Sequence, residues 1–512
     1  MKKHHLIAYD IGTTGNKACL YAFAEGQLEL LAQSTARNEL TIIDGGGAEQ
    51  SPEEWWRNMC DTTKIILKTA GLAGSDIEAI SFCSQMQGVV LVDKAGAALR
   101  PAMSYMDARA EKQFRAFCEG APNIAGVQAG KLLVSLAETG VVAGSAKDPV
   151  FKYAWVRENE PGLFEKVDTW FDVKDYLAFR ACGVKAMTED SAFATMVYNP
   201  AKKDWSKPVC RLHGVNLQHL PKIVRPQDVL GNLSTRAADE LGLSTNCKVV
   251  AGGGDSTLIG VGAGTVKPGD THMYIGTSGW VITVTERRMV DVGARIATTI
   301  AAMDGAYNYF AEMETAGKCF EWAKEQIAPQ GMDIGEICAW AGEADPGCNG
   351  LIFMPWLHGN RCPFEDAIAG GGFFNLGLRS DKREMFRAVI EGVAMHLAWM
   401  LEKEAAKTAT AGTIRLVGGG ARSPSVCQIL ADITGRKIAV AKEPHNAGAL
   451  GAAILISASL QFIPSIQDAA KLVPIEKIYE PDKSLEKIYK KNYTVFKRMY
   501  YSNKQNFHLL RE

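Results

Sequence analysis

Asp255 follows Gly252-Gly253-Gly254 at the end of the apolar run 247–251. A carboxylate that leaves bare backbone at a strand end projects into a crevice, where it can accept the proton of a bound alcohol. It can equally cap the next helix through Ser256 and Thr257. A second carboxylate, Asp10, opens the turn Asp10-Ile11-Gly12-Thr13-Thr14-Gly15. Half a chain later His272-Met273-Tyr274 runs into Ile275-Gly276-Thr277-Ser278-Gly279, almost the same turn without the acid. Glycine tolerates positive φ and close backbone approach, so such turns aim N–H groups and hydroxyls at one point, which suits phosphate oxygens. Two copies suggest two related domains acting on one nucleotide. Asp10 has no acidic counterpart before Gly276, so it reads as the group that orients a metal ion beside those oxygens.

A third glycine-rich turn, Gly418-Gly419-Gly420-Ala421-Arg422-Ser423-Pro424, follows the apolar run 413–417. Bare backbone there lets a flat ring or a phosphate approach, and a helix start adds a favourable dipole. Ser84-Gln85-Met86-Gln87-Gly88 sets two amides at a strand end, and amides offer both donors and an acceptor to polyol hydroxyls. Tyr105-Met106-Asp107-Ala108-Arg109 adds a carboxylate and a guanidinium, which a salt bridge explains equally well. Trp55, Trp56 and Trp155 read as packing rather than ligand stacking. No G-x-x-x-x-G-K-[ST] sequence and no protein-kinase loop set occurs, so those phosphate-binding solutions are excluded.

The elements that must hold these residues alternate. Strands are expected near 5–11, 17–23, 28–35, 77–83 and 89–93, the first three as a meander around Glu25-Gly26. Ser51-Pro52-Glu53-Glu54 starts a helix that ends at Gly71, with an N-cap Ser, an early Pro and first-turn acids. Residues 107–245 read as mostly helical. At 512 residues the chain exceeds one ordinary core, which predicts two domains, 1–250 and 251–512. A net charge of −1 gives no case for nucleic acid or an anionic membrane, and no apolar run is long enough to span one. The N-terminus enters a strand without a signal-peptide pattern, and 12 scattered cysteines without a Cys-x-x-Cys pair read as reduced thiols. A cytoplasmic protein is expected.

The ordered set Asp10-Ile-Gly-Thr-Thr-Gly, Glu49-Gln50-x-Pro-Glu-Glu-Trp, Gln85-Met86-x-Gly88, Asp107-x-Arg109, Gly-Gly-Gly-Asp255, Gly276-Thr-Ser-Gly, Gly-Gly-Gly-Ala421-Arg-Ser-Pro and Ala447-Gly-Ala-Leu-Gly-Ala-Ala453 resembles the FGGY carbohydrate kinases, nearest the xylulokinase branch. The resemblance implies an α/β protein with two actin-like (ribonuclease H-like) domains flanking an interdomain cleft. It implies ATP and Mg²⁺, with a small-molecule sugar as the acceptor and, in some relatives, a homodimer. By position, Asp255 matches the catalytic base and Asp10 the magnesium-orienting acid. Thr13, Thr14, Gly276 and Thr277 match phosphate contacts. Gly317, Gly419, Gly420, Ser423 and Asn446 match the nucleoside side, and Arg361-Cys-Pro363-x-x-Asp366 matches a segment lining the cleft. Gln85, Met86, Gln87, Asp107, Arg109 and Ser256 fall on the sugar side. Three positions depart from the pattern: Gln87 stands where the branch has His, Ser256 where it has Asn, and Asn375 where the family has Gly. The expected acceptor is therefore a ketopentose or a related sugar, with a ribulose or tetritol as alternatives. An actin- or chaperone-like ATPase switch is the reading from another class.

Overall fold

The computed structural model describes residues 2–124 and 126–510. The chain forms two compact units, residues 1–262 with 448–468, and residues 263–447 with 469–512. Each is built on one mixed sheet.

In the first unit the strand order is Val229–Asn232, Lys248–Val250, Ile77–Ser84, His4–Ile11, Gly15–Ala24, Gln27–Arg37. His4–Ile11 and Lys248–Val250 lie parallel to Ile77–Ser84, while the flanking pairs are antiparallel. The second sheet repeats this: Ile475–Tyr479, Lys437–Ala441, Thr413–Val417, Thr271–Ile275, Gly279–Thr285, Tyr307–Met313, extended by Ile296–Ile300 and Val290–Asp291. Its parallel pairs are again the central ones. The expected meander is present in the first sheet, and each sheet carries one of the two Gly-Thr hairpins. Strands with neighbours on both sides read as continuous apolar runs, and Leu6, Ile7, Ala8, Ile80 and Phe82 are fully buried.

The helix Pro52–Ala70 starts where the Ser51 hydroxyl accepts the Glu54 N–H and ends at Gly71 with φ +67°, a left-handed C-cap. Trp55 and Trp56 point into the core of the first unit. In the second unit the helix Lys382–Ala405 lies in the core, with Phe386, Val389, Ile390, Val393 and Leu397 buried.

Two expectations are corrected. Residues 107–245 are not mostly helical: short ladders such as Ala186–Thr188 with Lys222–Val224 and Val90–Val92 with Thr169–Phe171 interleave with short helices. Runs of three residues carry no periodicity to read. The division expected between 250 and 251 falls after Gly262. Gly253–Gly254 pairs with Cys83 and Ser84, which keeps Asp255 in the first unit rather than with the 276–446 residues. The stretch 448–468, most of it in the helix Ala447–Ser459, also returns to that unit.

Candidate active site

In open α/β sheets, ligands bind outside the carboxyl ends of parallel strands. The candidate residues of each unit gather there.

In the first unit Asp10 is register partner to Cys83, and Cys83 to Gly253. Three neighbouring strands thus end together, with Asp10 on one and Asp255 just beyond another. Asp255 opens the helix Asp255–Gly262, and its Oδ1 accepts the Ser256 N–H at 2.7 Å. That bond ties the carboxylate to its own helix start and is compatible with the functional reading. Burial holds the Asp10 carboxyl above its ordinary value, opposed by Lys17 and by a hydrogen bond from Cys83. The Cys83 thiol is raised well above its usual range by burial and then by Asp10 and Asp255. One buried thiol feels both carboxylates.

The Gly12–Gly15 turn closes with the Gly12 N–H on the Gly15 carbonyl at 2.9 Å, leaving Thr14 exposed. Thr13 donates to Gln85 Oε1 at 3.0 Å, Gln85 donates to Gln50 Oε1 at 2.6 Å, and Gln50 donates to the Thr13 carbonyl at 2.8 Å. Gln85 therefore braces the turn through protein groups. Asp107 is fully buried, accepting from the Ala48 N–H and from Arg109, whose guanidinium also reaches Glu49 at 2.7 Å and lies 4.9 Å from the Trp155 ring centre. Arg109 thus pairs with both Asp107 and Glu49, and Arg100 supplies the second cation on Glu49. Of the expected sugar-side residues, Met86, Gln87 and Ser256 remain half-exposed at the strand ends. Ser256 Oγ donates to Met86 Sδ at 3.3 Å, and Met86 lies where a side chain on Gly254 would stand.

Gln87 adopts φ +62°, uncommon for a residue with a side chain. Asp172 accepts its N–H at 3.0 Å and that of Gly88 at 2.8 Å, while Lys152 Nζ donates to the Gln87 and Ser104 carbonyls at 2.7 and 2.8 Å. Burial pulls the Lys152 ammonium down to about 8 against Asp107, Asp172 and Asp148. Burial, then Asp175, pushes the Asp172 carboxyl up to about 7. Sequence reasoning missed both residues, since neither lies near the amide motif.

It also missed Gly448. A Cβ there would stand 2.9 Å from both Asp10 Oδ2 and Cys83 Sγ. A Cβ on Gly451 would overlap the Leu258 carbonyl. The small-residue face of Ala447–Ser459 thus lies on Asp10 and on the helix that Asp255 opens. The signal was the run Ala447-Gly-Ala-Leu-Gly-Ala-Ala453, to which no role was attached.

In the second unit the Gly317 N–H reaches the Gly276 carbonyl at 2.7 Å, and the Ala316 and Lys318 N–H groups reach that of Thr277 at 3.0 and 3.2 Å. The approach leaves no room for a side chain at Gly317. Tyr274, which stands where the first copy has Asp10, stacks on Trp280 with ring centres 3.9 Å apart. Gly418 at φ +91° bends the chain after Thr413–Val417, and its N–H bonds the Pro444 carbonyl beside buried Asn446. Gly419 is exposed, and Gly420 packs on Ile275. Thr277, Gly317, Gly419, Gly420 and Asn446 therefore collect at one sheet end. The expected helix dipole lies farther off, because a 3₁₀ turn, Gly419–Arg422, precedes Pro424–Thr434 and Ser423 caps that helix through the Val426 N–H. Arg361 pairs with Glu312 at 2.6 Å and Glu314 at 3.2 Å. Asn375 has φ +67°, which explains why glycine suits that position and why Asn serves.

Two sheets of identical strand order, each with a Gly-Thr turn at its carboxyl end, define the actin-like class of α/β protein. The model of the FGGY family of carbohydrate kinases matches with its N-terminal domain over residues 5–262 and with its C-terminal domain over 272–460. The chain belongs to that family and is a carbohydrate kinase. Xylulose kinase of Bacillus subtilis is 28% identical over 501 residues, 96% of this chain and 97% of that protein. Crystal structures of a gluconate kinase and of a ligand-bound xylulose kinase, both from Lactobacillus acidophilus, share the fold with TM-scores of 0.88 at 23% identity, each covering 99% of this chain and 100% of the other. Family membership removes the ATPase-switch reading. No helix among the described residues is long and apolar enough to cross a membrane.

Proposed function

We propose that the chain transfers the γ-phosphoryl group of ATP to a hydroxyl of a ketopentose of the xylulose type or a related small sugar. Asp255 is the base that takes the hydroxyl proton, and Asp10 orients magnesium. The observation that carries this reading is the pair of carboxylates at neighbouring strand ends, on either side of the strand that carries Cys83. Phosphoryl transfer has a loose transition state, so positioning and charge stabilisation matter most. Gly276, Thr277, Gly317, Gly419, Gly420 and Asn446 serve the nucleotide, with Thr13 and Thr14 on phosphate oxygens. Met86, Gln87 and Ser256 face the sugar, and Asp107 with Arg109 holds the wall behind them.

Among the described residues no group of three or more His, Cys, Asp or Glu side chains is placed to hold a metal ion. Magnesium suits this, because it usually takes one or two carboxylates and fills its shell with water and phosphate oxygens. Neutralisation of the phosphate oxygens is the chemistry it supplies when bound. Gly448→Ala crowds the Asp10 carboxylate and is expected to lower turnover roughly 10-fold, since small misplacements cost rate steeply. Steady-state kinetics against magnesium checks this, and an unaltered rate at every concentration would show that Asp10 moves without consequence.

Gln87 and Ser256 set the choice of sugar. Serine is shorter than the branch's asparagine and has one hydroxyl in place of an amide, so a sugar hydroxyl matched to that amide loses a partner. An unmet buried polar group costs about 1–3 kcal/mol. D-xylulose is expected to fall behind another ketose or polyol by roughly 10-fold in kcat/KM. The test is ADP release against a panel of ketoses, ribulose, tetritols and gluconate, repeated on Gln87→His with Ser256→Asn, which should move preference toward D-xylulose. A wild type that prefers D-xylulose and is not improved by the pair refutes the specificity argument. No stimulation by any sugar refutes the acceptor class.

A further inference from the structure

Beneath Asp255 lies a buried polar cluster that the reaction itself does not require. Asp190, on the short helix Glu189–Ala194, has its side chain 1% exposed. Its Oδ2 accepts the Gly254 N–H at 2.7 Å, and its carboxylate takes a further hydrogen bond from the Thr257 side chain. Its Oδ1 accepts from Thr188 Oγ1 at 2.5 Å and stands 3.9 Å from Lys174 Nζ. Lys174 in turn donates to Asp175 Oδ1 at 2.9 Å, to Ser191 Oγ at 2.7 Å and to Thr188 Oγ1. Elements at 173–182, 186–188, 189–194 and 253–262 thus meet on one carboxylate.

The two groups that Asp190 holds flank Asp255 on both sides: the amide one residue before it and the hydroxyl two residues after. Gly253–Gly254 is a two-residue strand held on one edge by its pairing with Cys83 and Ser84, and as glycine it has no side chain of its own to fix how the chain leaves it. Glycine has the widest conformational range of any residue, so a fixed exit direction for the next side chain must come from outside contacts. A buried ion pair adds little to stability compared with well-packed apolar groups, and its better-supported use is to specify one arrangement. Burial raises the Asp190 carboxyl, and Lys174, Thr188, Gly254 and Thr257 together carry it below its ordinary value.

We infer that Asp190, locked by Lys174 and Thr188, is a positioning residue that fixes Gly254 and Thr257 and thereby aims the Asp255 carboxylate. This rests on the reading of Asp255 as the base. Asp190 acts through Asp255 and does not meet the sugar.

The test is a double-mutant cycle on the full chain with the best sugar from the panel and ATP. Asp190→Asn keeps the shape and leaves Lys174 its partner Asp175. It is expected to lower kcat roughly 10–100-fold, the scale of a misplaced catalytic group, with KM for sugar and ATP nearly unchanged. In the Asp255→Asn background the same change should lower kcat by no more than about 2-fold, because groups acting as a unit are not additive. Full turnover in Asp190→Asn, or an equal fall in both backgrounds, overturns the inference while leaving Asp255 as base. Full turnover in Asp255→Asn overturns the base reading and this inference with it. If Asp190→Asn does not fold, Thr257→Val removes one of the two tethers. It should lower kcat roughly 3–10-fold in the wild type and not in Asp255→Asn. No loss, or an equal loss in both backgrounds, again overturns the inference.

Discussion

Asp255→Asn is expected to bind ATP as the wild type does and to turn over roughly 10²–10⁴-fold more slowly, the range for loss of a general base. The amide is nearly isosteric, and its oxygen can still accept the Ser256 N–H that the carboxylate holds at 2.7 Å. The helix start therefore survives while the proton acceptor is lost. Single-turnover kinetics with nucleotide affinity measured in parallel checks this. Loss of ATP binding or of the folded state would make Asp255 a cap and nothing more, and near-normal turnover would move the base elsewhere.

Asp10→Ala should raise the magnesium concentration for half-maximal rate and reduce the rate at saturation, while leaving metal-free nucleotide binding close to wild type. The site has no other carboxylate cage to take over, since the described residues hold no three-ligand cluster. An unchanged magnesium titration would leave Asp10 as a shaper of the turn.

Much of the frame was legible because it is periodic or punctuated. The 413–417 strand, the Ser51 cap and the Gly71 stop stand where composition places them, each with a local physical cause. The two Gly-Thr turns were visible as a repeat. What side chains face was not. Gln85 was read on the sugar side, and nothing in its motif announced its hydrogen-bond partner Gln50, 35 residues earlier. Asp107 and Arg109 looked like cleft groups, and their meeting with Glu49 is a fact of the fold rather than of spacing. Asp255 falls in the first unit, and the sign of it was missing for a related reason: two glycines that join a sheet leave no hydrophobic pattern to mark the strand.

The return of residues 448–468 to the first unit bears on how the protein is made. Chains leave the ribosome N-terminus first, and domains tend to fold as they emerge. Here the first 262 residues are complete in sequence long before Gly448 and Gly451 arrive to cover Asp10, Cys83 and the Leu258 carbonyl. Through synthesis of the next 185 residues, the nascent first unit lacks the segment that covers Asp10 and Cys83. A fragment ending at Gly262 should carry that same raw face, and supplying residues 448–468 as a separate peptide is the natural way to close it.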